Sequence, residues 1–166
     1  MKTAVITGAA QGIGKQTATL LNELGWVLAL IDLQPVDTQQ YKNAIALTGD
    51  ITDEKFVSAA AAETMKKFNR VDALVNNAGI SNISPALDTT TDKYRQVLEV
   101  NLVAPFILAK AFGQIMLDAG SGAIVNVASV AGLQGVADRT AYNASKHGLI
   151  GLTRTLAVEW GGRGVR

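Results

Sequence analysis

Three side chains in the last third of the sequence could move a proton: Ser129, Tyr142 and Lys146, within GAIVNVASVAGLQGVADRTAYNASK at 122–146. The apolar run Ala123 to Ala128 is too short for a helix and reads as a strand buried on both faces, with Ser129 at its C-terminal end. After a loop with Gly132 and Gly135, Tyr142 and Lys146 lie four apart on one face of a helix running to about Trp160. A hydroxyl, a phenol and an ammonium converging at a strand end make a proton-transfer site. Taken singly they are unremarked side chains: a turn serine, a half-buried aromatic and a solvated lysine. His147, the only histidine, points off the Tyr–Lys face, and with no second histidine and no cysteine no metal site is expected.

These groups need a partner molecule, and the N-terminal third supplies a place for one. TAVIT (3–7) reads as a short buried strand, followed by GAAQGIG (8–14) and then by Thr17-Ala18, Leu20-Leu21 and Leu24 at helical spacing, stopped by Gly25. Strand, glycine loop and helix in that order aim backbone N–H groups and a helix dipole at a phosphate. Gly8 and Gly12 permit the tight turn, and Gly14 lets helix and strand pack closely. Trp26 to Ile31 reads as a second strand ending in Asp32, an acid placed about 20 residues past the loop, as suits the ribose hydroxyls of NAD. A 2′-phosphate would be repelled there, and the neighbours Gln11 and Leu33 offer no cation, so NAD is expected rather than NADP.

The remaining elements follow in order. Segment 33–43, with Pro35, is too short for a full crossover helix. Ala44 to Leu47 reads as the third strand, closed by Gly49-Asp50-Ile51, and Asp53 or Thr52 caps a helix over Phe56 to Phe68. Val71 to Val75 is a fourth strand, followed by Asn76-Asn77-Ala78-Gly79. Thr91 or Thr90 caps a long helix ending at Gly120, with Pro105 inside it; proline cannot donate to the Asn101 carbonyl, which predicts a kink and a freed Asn101 carbonyl. Every flagged cluster except Asn101 falls just past the C-terminal end of a strand, where doubly wound α/β sheets bind ligands. The expected fold is therefore one α/β domain over 1–166: a doubly wound, mostly parallel, Rossmann-like sheet with helices on both faces.

Composition narrows the classes further. The chain is 48% hydrophobic with 16 glycines and only 17% charged, apolar enough to suggest a buried subunit interface. A net charge of +1 with no basic run argues against nucleic acid or an anionic membrane. No apolar run approaches a membrane span, and the apolar start is too short for a signal peptide, so a soluble cytoplasmic protein is the default.

Together these residues resemble the compact branch of the short-chain dehydrogenase/reductase family. Thr7-Gly8-Ala9-Ala10-Gln11-Gly12-Ile13-Gly14 matches its TGxxxGIG cofactor loop, Asn76-Asn77-Ala78-Gly79 its NNAG motif, and Tyr142 to Lys146 its YxxxK motif. The resemblance implies an NAD-dependent oxidoreductase acting on a secondary alcohol or ketone. Asn101, Ser129, Tyr142 and Lys146 would be its catalytic tetrad. Gly8, Gln11, Gly12, Ile13, Gly14, Asp32, Asp50, Ile51, Asn77, Ala78, Gly79, Tyr142 and Lys146 would hold the cofactor. Tyr142 would be the general acid/base, Ser129 would orient the substrate oxygen, and the freed Asn101 carbonyl would hold a water linked to Lys146. The resemblance also implies a homodimer or homotetramer through the helices 91–118 and 138–160. Family members continue well beyond Arg166, with further strands and a substrate loop, so the chain corresponds to a C-terminally truncated member with a hydrophobic sheet edge exposed. The alternative is a dinucleotide-binding, dimerising module without turnover.

Overall fold

A computed structural model describes residues 1–166 as a five-stranded parallel sheet in the order β3-β2-β1-β4-β5. The strands are β1 (Thr3–Thr7), β2 (Val27–Asp32), β3 (Ala44–Thr48), β4 (Ala73–Asn76) and β5 (Ala123–Asn126). The helices are α1 (Gly12–Glu23), α2 (Glu54–Phe68), α3 (Thr91–Leu98), α4 (Ala104–Asp118) and α5 (Thr140–Trp160). Strand and helix ends shift by a few residues from the sequence expectation; α1 begins already at Gly12, within the glycine loop.

The two central strands have apolar residues on both faces, and alternation sends them to two cores. Val5, Ala29 and Ile31 pack with α2 and α4, among Val57, Ala60, Leu108, Phe112 and Met116. Ala4, Ile6, Leu28 and Leu30 pack with Ala18 of α1 on the other face. The chain winds outward one way from β1 through β3 and the other way from β4 to β5. Right-handed crossovers then put α1 opposite α2 and α4. Segment 33–43 forms no helix, as its length predicts. Buried Tyr41 and half-buried Val36 cover the α1-side core in its place.

Two expectations take a different form. The distortion expected around Pro105 is a π-helical turn, Glu99–Val103, that joins α3 to α4, with Pro105 in the first turn of α4. There a missing N–H costs little, so the distortion falls in the turn before it. Second, the stretch Thr91–Asp118 is long and apolar enough to cross a membrane by composition alone. Its apolarity is accounted for by the sheet, since Ala104, Ile107, Leu108, Phe112 and Met116 are all buried there.

β5 is the outer strand on one side, and Val125 on it is 52% exposed. Val165 pairs with Gly122 in parallel, and the Ile124 amide donates to the Arg166 carbonyl (2.8 Å), so Val165 and Arg166 lie along the start of β5.

At the N-terminal ends of the central strands, Asp72 ties β1 to the approach to β4. Its carboxylate accepts from the Thr3 amide (2.7 Å) and from Arg70 Nε (2.8 Å). Burial raises the Asp72 pKa, but the Arg70 and Thr3 hydrogen bonds, with the charges of Arg70 and Lys2, outweigh it and hold the group below 3.8. A carboxyl lowered on folding stabilises above its unfolded value and loses that contribution as pH falls through the folded one. Asp72→Asn is therefore expected to cost about 1–2 kcal/mol near neutrality, most of it through the Thr3 bond, because Arg70 is largely exposed. Urea unfolding across pH should show the deficit shrinking in acid below 3.8; a pH-independent deficit would contradict this account.

Candidate active site

Because all five strands run parallel, Thr7, Asp32, Thr48, Asn76 and Asn126 end at one edge of the sheet. The order reverses between β1 and β4, and the crevice there holds about 490 Å³. Gly8, Gln11, Asp32, Asp50, Ile51, Asn77, Ala78 and Gly79 all line it. Five members of the expected cofactor set do not, Tyr142 and Lys146 of α5 among them. Gly12 and Ile13 border a shallow groove along α1, and Gly14 is buried.

The glycine loop is held against β4 by Asn77. Its side-chain amide donates to the carbonyls of Thr7 (3.0 Å) and Gly8 (3.2 Å), and the Thr7 hydroxyl accepts from the amides of Asn77 and Ala78. Gly8 needs its freedom, with φ of 66°. Gly14 is required by space: a Cβ there would overlap the Gly8 carbonyl oxygen and lie 2.6 Å from the Asn77 amide nitrogen. The order strand, glycine turn and helix start is one that presents backbone N–H groups to an anion. Next to the loop the Asp32 carboxylate accepts from the amides of Ala10 (2.9 Å) and Gln34 (3.0 Å), which fixes its orientation at the crevice wall. Asp50 is held the same way, accepting from the Thr52 amide and hydroxyl.

On the far side of Gly79 lie Asn101 and Lys146. A Cβ on Gly79 would stand 3.1 Å from Asn101 Oδ1 and 4.0 Å from Lys146 Nζ. Asn101, 1% exposed, faces inward from the π turn; its Oδ1 accepts from the Ile80 amide and its Nδ2 donates to the Ile80 carbonyl, both at 2.8 Å. Nδ2 also donates to Ser145 Oγ (3.1 Å), whose own proton goes to the Tyr142 carbonyl (2.8 Å). Lys146, 5% exposed, donates to the Val127 carbonyl (2.6 Å), and its Nζ lies 5.6 Å from the centre of the Tyr142 ring. Ser129, half-buried, caps a short turn by accepting from the Ala131 amide (3.1 Å). His147 is exposed and bonds only to the Asn143 carbonyl of its own helix.

Several residues were missed from sequence. Gln96 and Val100 line the crevice, four apart on one helical face, a spacing that could have flagged them. Ser145 lies inside the YNASK stretch, three residues past Tyr142, yet its contact with Asn101 crosses 44 positions and leaves no local trace.

The family model for short chain dehydrogenases matches residues 2–166. D-threitol dehydrogenase of Mycolicibacterium smegmatis is 39% identical over 99% of the chain and 66% of its own length. A protein of Beutenbergia cavernae, assigned as an NAD(P)-dependent gluconate 5-dehydrogenase and crystallised with NADP at low occupancy, is 40% identical. Its TM-score is 0.91 over 99% of the chain and 68% of its own. A 4-hydroxyisoleucine dehydrogenase in complex with NADH is 33% identical with a TM-score of 0.91, over 100% of the chain and 72% of its own. The chain thus spans about two thirds of the length of the relatives it matches.

Burial holds the Lys146 ammonium below the ordinary lysine value of 10.5. The folded protein releases this proton before the unfolded chain does, so stability rises with pH across that interval. The stability of the parent relative to Lys146→Met should increase from neutrality toward 10.5 in urea unfolding at stepped pH. A difference that stays constant with pH would show that the ammonium is not desolvated.

Proposed function

The chain belongs to the short chain dehydrogenase family, and on that premise we propose that it transfers hydride between NAD(H) and the carbinol carbon of a secondary alcohol or its ketone. The observation that carries this reading is the meeting of two sites at Gly79, which lines the dinucleotide crevice and borders Asn101 and Lys146. A cofactor lying in the crevice would end beside Tyr142.

The residues present fit a nicotinamide dinucleotide. Gly8, Gln11 and the start of α1 would hold its pyrophosphate, Asp32 its adenosine ribose, Asp50 and Ile51 its adenine, and Asn77 to Gly79 and Lys146 the nicotinamide ribose. When bound, the nicotinamide supplies the hydride chemistry. The protein's own work is proton handling and placement. Tyr142 would exchange a proton with the substrate oxygen as general acid or base, and the Lys146 ammonium beside it favours charge on the tyrosine oxygen. Ser129 would hydrogen-bond the same substrate oxygen and hold the carbon toward the cofactor. Asn101, locked to Ile80 and Ser145, would set where Lys146 and the loop after β4 stand.

The relatives include NADP-bound and NADH-bound forms, so the preference is argued from this chain. Asp32 faces the crevice among Leu33, Gln34 and Gln11, with no cation to receive a 2′-phosphate, which favours NAD. The relatives' names span a polyol, D-threitol, and two hydroxy acids, gluconate and 4-hydroxyisoleucine, and a small hydroxylated substrate suits this site as well. Phe106 of α4 and Val158 of α5 are 44% and 85% exposed, which supports assembly of a homodimer or homotetramer through these helices.

Tyr142→Phe should keep NADH binding while lowering turnover by roughly 100- to 10,000-fold, measured with a panel of secondary alcohols. A variant as active as the parent would remove Tyr142 from the chemistry. A parent that binds NADH and oxidises no alcohol would make the chain a binding module.

A further inference from the structure

Arg139 is the charged group that neither the cofactor site nor the proton-transfer site uses. It immediately precedes α5, three residues before Tyr142, and its guanidinium carbon lies 5.9 Å from the centre of the Tyr142 ring. One of its Nη atoms donates to Ser81 Oγ (3.0 Å). The ion pairs of the chain are Arg70–Asp72 and Arg95–Asp92, so no carboxylate of the protein neutralises Arg139. The adjacent Asp138, exposed and at φ 58°, makes none with it.

The group is also held in place. The Arg139 carbonyl accepts from the Asn143 amide (2.7 Å), and the Ser84 amide donates to the Asp138 carbonyl (2.8 Å), which joins the loop after β4 to the start of α5. The Asn143 side chain donates to the Val136 carbonyl (2.9 Å) and braces the same loop. A half-buried guanidinium fixed by a serine and an aromatic ring keeps most of its five donors free in a planar fork. That geometry matches a carboxylate. Tyr142 is thus flanked by two cations with different duties: buried Lys146 on the cofactor side, and accessible Arg139 where residues 81–84 and 136–139 meet.

We propose that Arg139 anchors a carboxylate of the substrate, so that the class of substrate is hydroxy acids and keto acids rather than neutral polyols. The proposal rests on the dehydrogenase reading above. With the reacting oxygen at Tyr142, the acid group would reach the guanidinium one helical turn back along α5. A neutral alcohol would leave that cation without a counter-charge.

The test uses pairs that differ only in carboxylate against hydroxymethyl: gluconate with glucitol, threonate with threitol, and lactate with propylene glycol. Parent, Arg139→Gln and Arg139→Lys are compared, each first checked for NADH binding. The parent should favour the acid in at least one pair. Arg139→Gln should cut the acid-to-neutral ratio of kcat/KM by roughly ten- to a hundredfold, chiefly through KM, with part recovered in Arg139→Lys. Equal losses on both members of a pair would make Arg139 a loop clamp and overturn the proposal, as would a parent that prefers the neutral members. A parent that binds NADH but turns over no pair would remove the dehydrogenase reading and the role of Arg139 with it.

Discussion

The side-chain amide of Asn101 must satisfy its hydrogen bonds without water, and the arrangement of the site follows from that demand. At 1% exposure it has only protein partners, and an unpaired amide in such a place would cost roughly 1–3 kcal/mol. Ile80 supplies an amide and a carbonyl, and Ser145 a hydroxyl. Those three bonds connect the loop after β4, the π turn and α5. None of the three segments can shift without breaking a buried bond, and the Ser84–Asp138 and Arg139–Ser81 bonds join the same loop to the start of α5. The π turn makes this possible: it sits at the one place in the long helix where Asn101 can face inward while Pro105 starts a new, regular helix.

Around that tie the charges are sorted. Asp32 and Asp50 both line the crevice, Asp32 with its two oxygens accepting from backbone amides and Asp50 with one oxygen accepting from the amide and hydroxyl of Thr52. Beyond the Gly79 end of the crevice lie Lys146 and Arg139, their charged groups 5.6 and 5.9 Å from the centre of the Tyr142 ring. A dinucleotide laid from the acidic end to the cationic end would have its ribose hydroxyls facing acceptors and its reacting ring facing the proton donor. The polar ladder Asn76–Asn126–Thr153 stiffens the sheet edge that carries this arrangement, linking β4, β5 and α5 through side chains alone.

What could be read from sequence was local. The glycine loop, Asp32 and the Tyr–Lys pair sit at spacings fixed by backbone geometry within one strand-turn-helix unit, and the absent crossover helix at 33–43 follows from length. Pro105 pointed to the right turn of the long helix, but the π form of the distortion was not legible, because a shift of hydrogen-bond register has no composition of its own. The apolar residues of α4 could be recognised as a core face only once the sheet was in view. Ser145 and Arg139 act through partners more than 40 positions away, and no periodicity announces such contacts. Gly12 and Ile13 open α1 beside the glycine loop and border the groove along that helix.

The most direct test of the account is calorimetric titration of the 166-residue chain with NADH and, in parallel, NADPH. The account predicts one NADH bound per chain and much weaker NADPH, with the difference removed when Asp32 is replaced by serine. Binding of neither nucleotide would contradict it, because the crevice between Asp32 and Gly79 would then not be a dinucleotide site.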